Sequence, residues 1–243
     1  NSAFLQCTSL SKVTLPTSVR VIGDNAFAEC KSLASITIPQ GVHTIGNRAF
    51  TECEALSYVD VPASLTHLGD AAFRKCAALK TVQLPESLTR IGESTFFDCV
   101  ALTDIQLPST IKEIDDYAFY QCTALDTLLL PNQVKYIGTS AFEGCMRLRY
   151  LSVPQAVTSI LSNAFYGCNA LATISWNAET YTGPYPFKSI ASKVKNFIFG
   201  ENVKHITSLF CEDMSTQTAI MWRATDYDCT VPLRKVLKQV VGR

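Results

Sequence analysis

No run in this chain approaches the roughly 20 consecutive apolar residues that a membrane-spanning helix needs, although hydrophobic residues make up 47% of its 243 positions. A transmembrane helix is therefore not expected. An excess of charge is also lacking, since Lys plus Arg number 21 and Asp plus Glu number 21. A nucleic-acid binder would carry a basic excess or stripe, so that class is disfavoured. Histidine is scarce, with only His43, His67 and His205. No two cysteines are close enough in sequence to form a zinc-ligand pair. Neither a metal site nor a cofactor is expected. The glycines are spread singly and do not form a phosphate-binding loop. The chain opens at Asn1 without a Met, a charged n-region or an apolar h-region. The expectation is that a targeting segment has been removed or that the chain starts inside a longer protein.

What the sequence does have is a repeat. Phe recurs at positions 4, 27, 50, 73, 96, 119, 142 and 165, a constant step of 23. Cys keeps that step at 7, 30, 53, 76, 99, 122, 145 and 168, Leu at 10, 33, 56, 79, 102, 125, 148 and 171, and Pro from 16 to 154. The unit reads A-F-x-x-C-x-x-L-x-x-V/I-x-L-P-x-x-V/L-x-x-I-G, clearest from Ala49 to Gly69 and from Ala72 to Gly92. A fixed period of this length signals stacked coils, each unable to bury its apolar face alone.

Local chemistry assigns each part of the unit. Thr81, Val82, Gln83 and Leu84 alternate polar and apolar residues, which is a short half-buried strand. Pro ends the strand because it cannot donate to a ladder. A second extended piece follows, with Leu88 and Ile91 pointing inward. Gly92 and its equivalents Gly23, Gly46, Gly69 and Gly138 serve a corner that needs either positive φ or close approach. Asp115 takes this place in one coil, as a residue that tolerates the left-handed region. The A-F-x-x-C stretch, preceded by Asp, Asn or Ser, reads as one capped helical or 3-10 turn. The expected fold is an α/β solenoid: a right-handed superhelix of 23-residue repeats with one parallel β-sheet face and short helical or 3-10 turns on the other side.

The rule fails after Trp176. Asn177 stands where Pro belongs, Gly183 where Ile belongs, and residues 182–187 replace the expected turn. Val194, Phe197, Phe199, Val203 and Ile206 return to register as a ninth coil, and Ile220 and Trp222 suggest a tenth. Three regions result: regular repeats over 1–176, degenerate repeats over 177–230, and an amphipathic helix over 231–243. In the last, Leu233, Val236, Leu237, Val240 and Val241 form one stripe behind Pro232. Its role is to cap the core or, alternatively, to dock on a partner or an anionic membrane.

The repeat cysteines occupy one internal position per coil, where they are expected as buried free thiols. Cys211 and Cys229 lie outside that ladder and are candidates for a bridge. The histidines are dispersed on the second extended stretch, so no Ser-His-Asp or Cys-His arrangement can be assembled and no catalytic residue is assigned. Three surfaces compete for binding. On the outward strand face stand Tyr58, Asp60, Gln83, Asp104, Gln106, Leu129 and Tyr150. Its composition is also ordinary for a β-surface, but tyrosines anchor interfaces. A basic ridge would comprise Arg20, His43, His67, Arg90, Lys112, Lys135, Lys204 and His205, interrupted by Glu113. An aromatic patch would comprise Phe97, Tyr117, Tyr120 and Tyr166 on the turn side; these either expose an association surface or cover gaps between turns.

Written out, the repeat resembles the treponemal-type leucine-rich repeats of the BspA-like bacterial surface protein family. The blocks A-F-x-x-C, L-x-x-[IV]-x-[IL]-P and [VL]-x-x-I-G carry the match, fully from Ala3 to Ile160 and more weakly to Ile206. The resemblance implies a leucine-rich-repeat fold, export to the periplasm or cell surface, and adhesion or host-protein binding. It brings no catalytic residue. The expected function is non-enzymatic protein binding through the strand face. The alternatives are homo-oligomerisation through an exposed solenoid end or the aromatic side, and an apolar ligand in the irregular 177–230 region.

Overall fold

One 23-residue coil has too little of itself to cover a Phe, a Cys, a Leu and two branched aliphatics at once. Stacking supplies the cover. The computed structural model describes residues 1–207, 210 and 213–223. In it Phe50, Cys53, Leu56, Val59 and Leu65 of one coil are fully buried against Phe73, Cys76, Leu79 and Val82 of the next, in one core that runs the length of the solenoid.

A regular coil contributes up to two short strands. On the second extended stretch β1 (Val21–Ile22), β3 (Thr44–Ile45) and β5 (His67–Leu68) form one ladder, and β7 (Arg90–Ile91), β8 (Glu113–Ile114), β9 (Tyr136–Ile137) and β11 (Ser159–Ile160) form another that continues along the same side. The ladder of the main strand consists of β2 (Ser35–Thr37), β4 (Tyr58–Asp60), β6 (Thr81–Val82), β10 (Tyr150–Val153), β12 (Thr173–Trp176), β13 (Asn196–Phe199) and β14 (Ala219–Trp222). Pairing is parallel throughout and keeps the 23-residue step, as in Tyr58↔Thr81 and Phe199↔Trp222. Single bridges Gln83↔Gln106, Asp104↔Thr127 and Leu129↔Ser152 carry the main-strand ladder between β6 and β10. The expected single sheet is thus accompanied by ladders on the second extended stretch.

The expected helical turn does not form. Along A-F-x-x-C the backbone alternates its partners. Asn25, Phe27 and Glu29 donate N–H to Asn47, Ala49 and Thr51 of the next coil at 3.0, 2.8 and 2.7 Å. Ala26, Ala28 and Cys30 donate three residues back within their own coil at 3.2, 3.2 and 3.1 Å. Asn25 and Glu29 accordingly sit at φ 51° and 60°, a pattern repeated in each coil to Asn163. The reason is dimensional. A helix is about 10–12 Å across, whereas paired strands fix the coil step near 4.8 Å. On the turn side the Phe rings from Phe4 to Phe165 stand 5.1–5.8 Å apart and nearly parallel, which leaves no room for a helix. The solenoid is therefore built of strands and turns with almost no helix, which corrects the α/β expectation.

The polar residues before A-F-x-x-C do cap, but across coils. Asp24 Oδ1 accepts the Asn47 N–H at 2.8 Å, Asn47 Oδ1 that of Asp70 at 2.8 Å, and Asp70 Oδ1 that of Glu93 at 3.1 Å. The corner glycines serve this close approach: a Cβ at Gly46 would lie 2.4 Å from Asp24 Oδ1 and 2.6 Å from its nitrogen. Positive φ falls elsewhere, and Asp115, expected in the left-handed region, does not adopt it.

Where the repeat lapses, the core adapts. Phe187, one residue ahead of register, continues the ring ladder 5.0 Å from Phe165 at a tilt of 36°, beside the 3-10 turn Lys188–Ile190. Trp176, Tyr181, Tyr185, Phe197, Phe199 and Phe210 fill the interior around it. Asn177 and Gly200, standing in place of Pro, restore N–H groups that donate to Val153 and Trp176 carbonyls at 2.9 and 2.8 Å. Strands β10, β12, β13 and β14 consequently reach four residues. Cys211, Cys229 and the expected tail helix over 231–243 lie outside the described residues.

Candidate interaction surfaces

Alternation along a strand sends every second residue to solvent. Tyr58, Asp60, Gln83, Asp104, Gln106, Leu129 and Tyr150 are all exposed on the outward side of the β2–β14 ladder. They form two columns: Tyr58, Thr81, Asp104, Thr127 and Tyr150 in one, and Asp60, Gln83, Gln106, Leu129 and Ser152 in the other. Tyr58 and Tyr150 are four coils apart, about 19 Å at ~4.8 Å per step. Leu129, 67% exposed against 51% for Tyr58 and 43% for Tyr150, pairs with Ser152, two residues from Tyr150 on the same face. That diagonal spacing, about 7–8 Å, lets the two side chains act on one ligand. Met221 joins the Leu129 column on β14 and is 52% exposed. Only Ile220 and Trp222 betrayed that coil in the sequence; the alternation of Ala219–Trp222 is the signal that places Met221 outward.

The basic ridge is not assembled. Arg20, His43, Lys112, Lys135 and Lys204 occupy one column, and His67, Arg90 and His205 the adjacent one. Arg90 is engaged by Asp70 at 3.0 Å and by Asp115 from the following coil. Lys204 pairs with Glu179 at 2.5 Å, and Arg20 donates to the Thr17 carbonyl at 2.8 Å.

On the turn side, three of the four aromatic candidates come together. Phe97 and Tyr120 stack at 4.6 Å, and Tyr117 meets Tyr120 edge-on at 5.9 Å. The Arg74 guanidinium lies 4.6 Å over the Phe97 ring, a cation–π contact. Tyr166, 52% exposed, stands two coils beyond Tyr120 with Glu143 between.

The repeat cysteines from Cys30 to Cys168 are buried as expected, whereas Cys7 in the first coil is exposed. Each ladder cysteine from Cys30 to Cys168 donates S–H to the Phe carbonyl 26 residues earlier at 3.1–3.3 Å. Burial pushes the Cys53 and Cys168 thiols up to about 12. His43 and His67 face solvent, away from them. Among the described residues no His, Cys, Asp and Glu side chains are grouped to hold a metal ion, and no helix is long and apolar enough to cross a membrane.

Two surface recesses stand out. One lies on the turn side among Asp24, Glu29, Arg48, Asp70, Arg74 and Glu93. The other lies at the corner after β10 and β12, bounded by Asn132, Gln155, Asn177, Glu179 and Asn202. Its walls are mostly polar, and the aromatics of the irregular coil pack in the core.

The sequence pattern of the BspA type leucine rich repeat region, in six copies, matches residues 1–126 and 112–225. A leucine rich repeat protein of T. pallidum is 40% identical, with 60% of this chain and 69% of that one covered and a TM-score of 0.58. The pneumococcal vaccine antigen PcpA shares the fold at a TM-score of 0.61 and 22% identity, over 89% of this chain and 69% of that one. A leucine rich cell surface protein of Faecalibacterium prausnitzii does so at 0.54 and 22%, over 94% and 82%. No curated protein matches the chain.

Proposed function

This chain belongs to the BspA-type leucine-rich-repeat family, and from that premise we propose that it is a non-enzymatic, adhesion-type protein-binding module exported to the bacterial surface. The partner docks on the outward side of the β2–β14 ladder. The observation that carries this reading is the diagonal placement of Leu129, 67% exposed, and Tyr150, 43% exposed, on one face of a parallel ladder, Leu129 being bridged to Ser152 two residues beyond Tyr150. Hydrophobic and tyrosine side chains of this kind, fixed by the sheet beneath them, lose little freedom on binding and anchor interfaces. Around them Asp104, Gln106, Thr127 and Ser152 supply a polar rim. Family members of this type generally mediate protein interaction, and the reading gives this chain the same role.

The test uses the whole chain as bait in host and bacterial extracts, alongside a Leu129→Ser/Tyr150→Ala variant. Both substitutions are at exposed positions, so the melting temperature stays unchanged. A specific partner retained by the native chain should be lost by the variant, with affinity falling at least about tenfold. A partner held equally by both proteins would rule out this face.

A further inference from the structure

We propose that the corner cleft beside β10 and β12 is a binding site for a neutral oligosaccharide. This goes beyond the protein-binding reading and does not depend on it.

The cleft has a volume of about 770 Å³ and is open to solvent, a size suited to a small ligand. Its distinctive feature is carboxamides: Asn132, Gln155, Asn177 and Asn202 converge from four successive coils, with the Ser152 and Thr180 hydroxyls beside them. A carboxamide carries a donor and an acceptor on adjacent atoms, the same pattern that neighbouring sugar hydroxyls present. Among the described residues, Asn132 and Asn202 have no protein partner for these groups. Leu130, Pro154 and Ala156 add small apolar surface for the C–H faces of a sugar ring.

Charge narrows the ligand class. Glu179 is the one ionisable residue in the lining. Its carboxylate accepts from Lys204 Nζ at 2.5 Å and Gln155 Nε2 at 2.7 Å. These contacts hold it below the ordinary carboxylate range, so it remains an acceptor. An anionic ligand thus meets no uncompensated cation in the lining, and a cationic one meets a carboxylate already engaged. An apolar ligand would strip water from amides and return no hydrogen bonds. The turn-side recess is different, with six charged side chains, so an amide-rich lining is not a general property of this solenoid's surface.

The site arises where the repeat departs from its own rule. In the regular coils this corner begins with Pro; here it begins with Asn177 and then Gly200. The two departures are coupled. A Cβ at position 200 would lie 1.7 Å from Asn177 Oδ1, so the glycine makes room for the amide. The Asn177 backbone N–H is spent on Val153 O, and its side-chain amide, with Nδ2 3.5 Å from Ser175 Oγ, lines the cleft.

The experiment is calorimetric titration of the whole chain with maltotriose, N-acetylglucosamine trimer, galacturonic acid trimer and a capped trialanine peptide. The reading requires saturable binding of a neutral trisaccharide, weaker binding of the galacturonic acid trimer, and at least a tenfold loss in an Asn132→Ala/Asn202→Ala variant of unchanged melting temperature. Any of three results overturns it: no neutral trisaccharide saturates, the peptide binds more tightly than either sugar, or the double variant binds like the native chain.

Discussion

The Sγ of Cys76 donates its hydrogen bond to the backbone oxygen of Phe50, 3.2 Å away in the preceding coil. The same bond recurs up the ladder, so each thiol satisfies a carbonyl that the turn geometry leaves half-used. These cysteines are more than small apolar fillers. They are also held neutral: burial in the core raises Cys53 and Cys168 to about 12 from an ordinary 9.0.

A pH dependence follows from that shift. In the unfolded chain the thiols lose their protons from about pH 9, whereas in the folded chain they keep them. Above that point the unfolded state binds fewer protons, so stability falls with rising pH until the folded thiols also titrate. Below the unfolded value the contribution is fully present. Each thiol adds a slope of up to about 1.4 kcal/mol per pH unit. In the presence of reductant, the melting temperature should be level to about pH 8.5 and then drop steeply towards about pH 11. A level profile across that window would show that the ladder thiols are accessible to solvent.

The two kinds of glycine should respond differently to a methyl group. At Gly46 the added Cβ meets the Asp24 side chain at 2.4 Å and backbone of the preceding coil at 2.6 and 2.8 Å. Rigid backbone cannot yield without opening the coil step. Gly167 sits at φ +73° with its nearest neighbour atom at 3.5 Å, and its equivalents Glu52, Lys75 and Asp98 carry full side chains at positive φ. Gly46→Ala should cost about 3 kcal/mol or more, and Gly167→Ala about 1 kcal/mol. Urea unfolding of the two variants checks the ranking, and equal costs would contradict it.

How far the sequence could be read depended on whether a residue's partner lies along the chain or across it. Phe73 and Cys76 were legible because their 23-residue echoes show that they stack. The strand face was legible because alternation around Val59 and Ile105 sends Tyr58 and Gln106 outward. The turn is not legible in one unit, because Asp70, Ala72 and Phe73 look locally like a capped helix start. Asp70 in fact reaches Glu93, a partner 23 residues away that is not evident from a single unit. Arg90 likewise looks like an exposed base along the chain, although Asp70 and Asp115 flank it in neighbouring coils. Phe187 escaped because the ladder takes it one residue out of step. The corner cleft escaped for a related reason: Asn132, Gln155, Asn177 and Asn202 are unremarkable loop residues until stacking brings their corners together.

The Phe ladder allows a last comparison, between a rung in the middle and one at its end. Phe73 is fully buried between Phe50 and Phe96, with ring centroids at 5.4 and 5.8 Å. Phe4 stacks only on Phe27, at 5.1 Å, and is 38% exposed. Phe73→Ala should therefore cost about 3–5 kcal/mol, and Phe4→Ala about 1–2 kcal/mol, as fits a partly exposed ring. Because stability in a solenoid is a sum of nearest-neighbour interfaces, the damage from Phe73→Ala should be local. Amide exchange should speed up most in the coils bearing Phe50, Phe73 and Phe96, while Leu151 and Ile174, three or more coils away, keep their protection. Uniform loss of protection along the whole chain would mean instead that the solenoid unfolds as one cooperative unit and that a rung's cost is shared by every coil.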